Sequence, residues 1–336
     1  MDNTVKTVQQ EDRAVMFLGN RQAGLVPIAR PDKAAVGHLL GTTVHTLISP
    51  GTELMTGFME ALDTPRGTGY ASVFRVEAVG EGASEDWQVG DLALCMGHHQ
   101  SFQHIAAVHA VKLPAGLPTH IAVLARLLNI SMTTLETTTA KPGDRVIVMG
   151  AGPVGLLAAH LFQHCGYKVL VCDPDEGRSA AAGRSGIRHT ATALPEGDGE
   201  WQGKTALVLE CSGHEAAAIA SCAFIRPRGE VVLIGVPWRR RSDQYAHELL
   251  SLIFHRYAVL RSGWEWEVPM TEGHFQPYSI MGNLARGLDW LAEGLIDAEG
   301  SGLLRTFKPE EANEAYNGLA DQRFAEPFVV FDWRNS

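Results

Sequence analysis

One glycine-rich hexapeptide constrains this chain more than any other feature: Gly150-Ala151-Gly152-Pro153-Val154-Gly155. It directly follows the short apolar run Arg145–Met149. It opens the segment Pro153–His164, whose apolar residues Val154, Leu156, Leu157, Ala158, Leu161 and Phe162 predict a helix. In such a strand–turn–helix unit, Gly150 permits the tight turn and Gly152 lets the backbone approach a pyrophosphate. Gly155 lets helix and sheet pack closely. Pro153 and Val154 then begin a helix whose unpaired amides face phosphate charge. A second apolar run, Lys168–Cys172, ends at Asp173, 23 residues beyond the first glycine. A carboxylate there accepts hydrogen bonds from the two hydroxyls of an adenosine ribose and repels a further phosphate. NAD is therefore the expected cofactor, and Arg178, five residues on, keeps NADP open.

The same rhythm continues along the chain. Segments 206–210 and 230–234 read as buried strands, and 176–182 and 214–224 read as helices. Successive strands with helical crossovers imply an α/β unit with a doubly wound parallel sheet, covered on both faces. In such a sheet, loops at the carboxyl ends of strands line the ligand crevice. Ser212, Gly213, Gly235 and Val236 lie in such loops, where they either flank the nicotinamide and its ribose or serve only as turn residues. Residues 13–117 follow another pattern, with short β-like runs at 14–18, 43–48, 71–79 and 104–112. Turns at Gly80, Gly82, Gly90 and Asp91 punctuate them, and the reading is a mainly β, partly antiparallel unit. A helix is predicted over 121–138, with a terminal helix over 310–319 and a strand over 328–332. At 336 residues the chain is long enough for two domains.

Composition narrows the function classes. The net charge of -10 gives no long-range help in gathering a nucleic-acid backbone, so no nucleic-acid partner is expected. Arg239-Arg240-Arg241 is a local exception, read as an exposed loop between a strand and a helix. No uninterrupted apolar run reaches the roughly 18 residues of a membrane span. The polar first 13 residues resemble neither a secretory signal nor a transit peptide. Cysteines 95, 165, 172, 211 and 222 are scattered, which predicts reduced thiols in a cytoplasmic protein without a structural zinc lobe.

As a set, several further elements carry a resemblance. They are Ser49-Pro50-Gly51-Thr52-Glu53, Val89-Gly90-Asp91, Leu113-Pro114, Lys141-Pro142-Gly143-Asp144, Arg226-Pro227-Arg228-Gly229 and the terminal helix–strand pair. Together with the glycine motif they make the chain resemble the medium-chain dehydrogenase/reductase (zinc-type alcohol dehydrogenase-like) family over roughly residues 14 to 333. The resemblance implies a discontinuous GroES-like catalytic domain, 1–122 with 300–336, and a Rossmann dinucleotide-binding domain over 123–299. It also implies a small-molecule substrate in the cleft and a homodimer or homotetramer. Zinc members of the family carry a cysteine where Pro50 stands, and Gly-His-Glu where Gly69-Tyr70-Ala71 stands. Those residues cannot rebuild a site of three Cys, His or carboxylate ligands, so no metal is expected.

The resemblance thus implies hydride transfer between a nicotinamide and a small alcohol or carbonyl without zinc. The alternatives are an NAD(P)H-dependent quinone or enone reductase, and an inactive dinucleotide-binding regulatory protein. Without a metal, charge developing on the substrate oxygen needs a protein donor. Tyr70 is either that donor or a packing aromatic. His99 is an acid/base or a loop histidine, and Glu53 orients neighbours or caps a helix near Leu54. Trp264, Glu265 and Trp266 read as a substrate wall or a subunit edge.

Overall fold

The computed structural model describes residues 11–334 except Asp198; the polar segment 1–10, read above as carrying no targeting signal, lies outside the described residues. Two large sheets organise the rest. The first has seven strands: His38–Leu47, Ser72–Val79, Leu92–Cys95, Phe102–Ala106 and Ala110–Lys112, joined by Leu304–Phe307 and Phe328–Asp332 from the far end of the chain. Phe328–Asp332 lies antiparallel to His38–Leu47, so the last strand closes the unit that the early strands began. The expectation of one strand over 104–112 is corrected. A 3-10 turn at Ala107–His109 divides it, and the two pieces pair with different neighbours. A smaller sheet of Gln22–Pro27, Arg13–Gly19 and Arg66–Gly67 packs its own core of Phe17, Phe58, Tyr316 and Phe331.

The second sheet has six parallel strands. In chain order these are β1 (Arg145–Met149), β2 (Lys168–Cys172), β3 (His189–Ala191), β4 (Thr205–Glu210), β5 (Glu230–Leu233) and β6 (Val259–Ser262). Their spatial order is β3-β2-β1-β4-β5-β6, all parallel, which is the doubly wound arrangement. Central β1 is apolar on both faces because both are covered. Val146 and Val148 join the cluster containing Leu156 and Leu157, while Ile147 points the other way toward Leu170, Val208 and Val231. Each such fully buried side chain stabilises the fold by about 1.5–3 kcal/mol.

Helix Ala125–Thr137 joins the halves, packing on both Pro153–His164 and Ile280–Ala292. One cluster of buried residues runs from Val73 and Leu94 in the first sheet to Val146 and Val148 in the second. A cleft of about 760 Å³ opens between the sheets, at the carboxyl ends of β1, β4 and β5. No described helix is long and apolar enough to cross a membrane.

Candidate active site

The nucleotide side of the cleft is built from the glycine turn. Gly150 has φ +97°, a conformation L side chains rarely adopt. Gly152 is the N-cap of Pro153–His164 and offers no side chain to the helix amides, with Pro153 following in the first turn. A Cβ on Gly152 would meet nothing within 4 Å, so the turn leaves open space before those amides. Ala151 through Leu156 all line the cleft. A buried ligand phosphate fits this cradle of free N–H groups.

Asp173 follows β2 as expected, but its carboxylate is turned toward the turn and only 4% of the residue is exposed. Oδ2 accepts the Ala151 amide at 2.8 Å and Oδ1 accepts the Asp175 amide at 2.9 Å. Asp173 itself is not among the cleft-lining residues, whereas Arg178 is. Across the crevice, the Glu210 carboxylate accepts the amides of Ser212 and Gly213 at 2.8 and 3.0 Å and the Ser212 hydroxyl. Burial pushes the Glu210 carboxyl above the usual range in spite of these bonds. Cys211, Ser212, Gly235 and Val236 line the cleft, and Gly213 braces the Gly235 loop from behind. Arg239 and Arg241, read from sequence as plain loop, also line it, while Arg240 turns away to Asp243.

The opposite wall carries hydroxyl groups. Ser49, Thr52 and Tyr70 line it, with Pro50, Leu54 and Met55 beside them. The Tyr70 hydroxyl donates to Ser49 Oγ. Beneath the Tyr70 ring, 4.6 Å from its centroid, lies the Arg126 guanidinium. Arg126 grips Glu265 through two parallel bonds of 2.7 and 2.8 Å, and Asn129 adds a third donor at 2.5 Å. Burial raises the Tyr70 phenol above its ordinary value, against the lowering influences of Ser49, Arg126 and Thr52. It is therefore protonated at neutral pH.

His99 and Glu53 require correction, because neither reaches the cleft. His99 is fully buried, and Glu53 is 3% exposed. Glu53 Oε2 accepts Thr68 Oγ1 at 2.7 Å and the Tyr316 hydroxyl at 2.5 Å, and it stands 3.1 Å from His99 Nε2. Its other oxygen accepts the Ser49 amide at 2.7 Å. Burial alone would raise the Glu53 carboxyl, but His99, the Ser49 amide and Tyr316 together hold it below its ordinary value. A carboxylate this enclosed fixes the Ser49 backbone and cannot touch a substrate.

Sequence reasoning missed the parts that arrive from far along the chain. Tyr316 reaches Glu53 across 263 positions and Glu265 reaches Arg126 across 139. Trp264 and Glu265 line the cleft, so the wall reading fits those two; Trp266 is half exposed. For a metal, the donor set does not fit. Among the described residues no group of three or more His, Cys, Asp or Glu side chains is arranged to hold one. Pro50 and Tyr70 offer no ligand pair, and His98 Nδ1 is engaged by the Gly69 carbonyl.

Comparison with known proteins agrees with this geometry. Residues 153–265 match a family model described as zinc-binding dehydrogenase. The 2-dehydro-3-deoxy-L-galactonate 5-dehydrogenase of Pseudoalteromonas atlantica is 27% identical over 145 residues, 42% of this chain and 42% of that protein. The match spans well under two thirds of that relative's length. The fold extends further. The crystal structure of galactitol-1-phosphate dehydrogenase from Escherichia coli superposes with TM-score 0.79 at 15% identity, covering 95% of this chain and 99% of that one. Acetophenone reductase from Geotrichum candidum, solved in complex with NAD, gives TM-score 0.75 at 14% identity, covering 98% and 99%.

Proposed function

We propose that the chain is a zinc-independent, NAD(P)-dependent oxidoreductase of small alcohols and carbonyls in the medium-chain dehydrogenase/reductase (zinc-type alcohol dehydrogenase-like) family; among its described residues no cluster is arranged to hold a metal. The observation that carries this reading is a single cleft lined on one wall by Ala151–Leu156 and on the other by Ser49, Thr52 and Tyr70. A bound nicotinamide supplies the hydride. The chain's own residues would do the rest. The amides at the start of Pro153–His164, with the turn at Gly150–Gly155, would hold the pyrophosphate, and Arg178 would stand over the adenosine end. The Asp173 carboxylate, bonded to the Ala151 amide at the turn, sets a negative charge beside the adenosine end, which supports NAD as the preferred form. Ser212, Gly235 and Val236 would border the nicotinamide ribose and ring, with Gly213 bracing the Gly235 loop behind them. The Tyr70–Ser49 hydroxyl pair would exchange the proton that accompanies hydride transfer, and Glu53 with His99 would hold Ser49 in position.

We further read residues 1–122 with 300–336 as the catalytic domain and 123–299 as the nucleotide domain. The active form would be a homodimer. β6 is an open sheet edge, and Tyr257, Val259, Trp264 and Trp266 on and beside it are exposed. All five cysteines are free, which supports a reducing cytoplasmic setting.

The test is absorbance at 340 nm, with NADH and NADPH against diacetyl, cyclohexanone and acetophenone, and with NAD and NADP against the matching alcohols. Turnover without added metal, undiminished by a chelator, supports the proposal. Turnover that a chelator abolishes and zinc restores would contradict it.

A further inference from the structure

We infer that the Ser49 hydroxyl, and not the Tyr70 phenol, is the group that meets the substrate oxygen, with Tyr70 passing its proton through Ser49. This inference rests on the oxidoreductase reading of the cleft. Both side chains line the cleft, but their hydrogen-bonding roles differ. A hydroxyl has one proton to give. That of Tyr70 is committed to Ser49 Oγ. Among the described residues, the Ser49 proton is paired with no acceptor, which leaves it free to point into the cleft.

The surroundings hold both hydroxyls in place. The Ser49 amide is anchored at 2.7 Å on Glu53, itself held by Thr68 and Tyr316, so the backbone beneath the hydroxyl cannot swing away. The Tyr70 ring rests on the Arg126 guanidinium, which Glu265 locks in a two-bonded clamp. Arg126 is thus a positioning residue for the phenol. Its charge also favours the phenolate that exists briefly when Tyr70 gives up its proton. Burial keeps that proton in place until it is needed.

In the reductive direction the carbonyl carbon accepts the hydride and a C–H bond forms. The carbon–oxygen π pair moves to the oxygen, which takes the Ser49 proton as the Oγ–H bond breaks. Ser49 Oγ recovers a proton from the Tyr70 hydroxyl, and Tyr70 is reprotonated by water entering the cleft. The carbonyl is reduced to an alcohol and the dinucleotide is oxidised by the same two electrons. The oxidative direction runs these transfers backwards.

The experiment compares Ser49→Ala, Ser49→Thr, Tyr70→Phe and the Ser49→Ala/Tyr70→Phe double variant, with diacetyl and the preferred reduced dinucleotide. Loss of one general acid costs roughly 10²–10⁴-fold. Ser49→Ala is expected to lower kcat by about 10²-fold or more with cofactor Kd unchanged, and Ser49→Thr to restore most of it. Tyr70→Phe should cost less than Ser49→Ala, since water can reprotonate Ser49, and the double variant should be no slower than Ser49→Ala. A readout independent of turnover is 19F NMR of 3-fluorotyrosine-labelled protein, with the Tyr70 resonance assigned through Tyr70→Phe. That resonance should move in Ser49→Ala and return toward its place in Ser49→Thr. Tyr70→Phe costing more than Ser49→Ala, or a Tyr70 resonance indifferent to Ser49→Ala, overturns the inference while leaving the oxidoreductase reading intact. A wild-type protein that binds neither reduced dinucleotide overturns both.

Discussion

A Cβ placed on Gly155 would lie 1.9 Å from the carbonyl oxygen of Gly150, so the helix and the turn before it meet with no room for a side chain. Three residues away, Gly152 has open space in front of it. The two glycines are therefore kept for opposite reasons, one by packing and the other by an empty place in the cleft.

Gly155→Ala should consequently destabilise the protein by about 1–3 kcal/mol, the usual cost of overpacking a well-filled site. Gly152→Ala should cost less, about 1 kcal/mol at most, the usual loss when alanine replaces a good N-cap residue. Urea-denaturation midpoints of the two variants check both expectations. Equal midpoints would mean that the turn relaxes more freely than its geometry implies.

Arg126 and Glu265 form a buried ion pair, 3% and 8% exposed in their side chains. Arg126→Met leaves the Glu265 carboxylate buried without its cation, an expected loss of about 3–5 kcal/mol. Replacing both partners, as Arg126→Met with Glu265→Leu, should recover much of that loss. A double-mutant cycle in urea measures the coupling. Simple additivity of the two single losses would show that the pair does not act as a unit.

Much of this was legible from the chain, and what was not has a physical reason. β1, β2 and the helix Pro153–His164 were readable because a strand buried on both faces must be apolar throughout and the glycine turn admits few other folds. Edge strand β6 was not. Its Val-Leu-Arg-Ser sequence has one covered face at most, and neither period stands out. The run 104–112 reads as one strand because the backbone break at Ala107–His109 carries no glycine or proline. At the site, Tyr70 was found through the ligand position it occupies. The catalytic alternative stayed open for His99 and Glu53 because polar residue types carry no mark of burial. Tyr316 as a partner of Glu53, and Glu265 as the partner of Arg126, were missed because nothing local links residues more than a hundred positions apart.

His160 is buried, and that burial lowers it from 6.5 to about 4. A group whose folded value is depressed resists protonation in the folded state, while the unfolded chain takes up the proton near pH 6.5. Stability is therefore lost as the pH falls from 6.5 toward 4. Linkage puts the share of His160 at about 2 kcal/mol between pH 8 and pH 5. His45, lowered to about 4 by burial against the pull of Asp332, adds a loss of the same sign. Unfolding free energies at pH 8 and pH 5 for wild type and His160→Gln test this. The variant should lose about 2 kcal/mol less than wild type over that interval, and parallel losses would remove His160 from the explanation.

The central claim is that the open space before Gly152 is where a dinucleotide pyrophosphate lies. The direct measurement is fluorescence titration of wild type and Gly152→Glu with NADH and NADPH, with thermal unfolding of both proteins alongside. A glutamate there meets no protein atom near its Cβ, yet it sets a negative charge where the pyrophosphate would sit. The account predicts NADH binding to wild type more tightly than NADPH, a loss of about 100-fold or more in Gly152→Glu, and an unfolding temperature within about 2 °C of wild type. Undiminished NADH affinity in Gly152→Glu, or no binding of either dinucleotide to the wild-type protein, would contradict it.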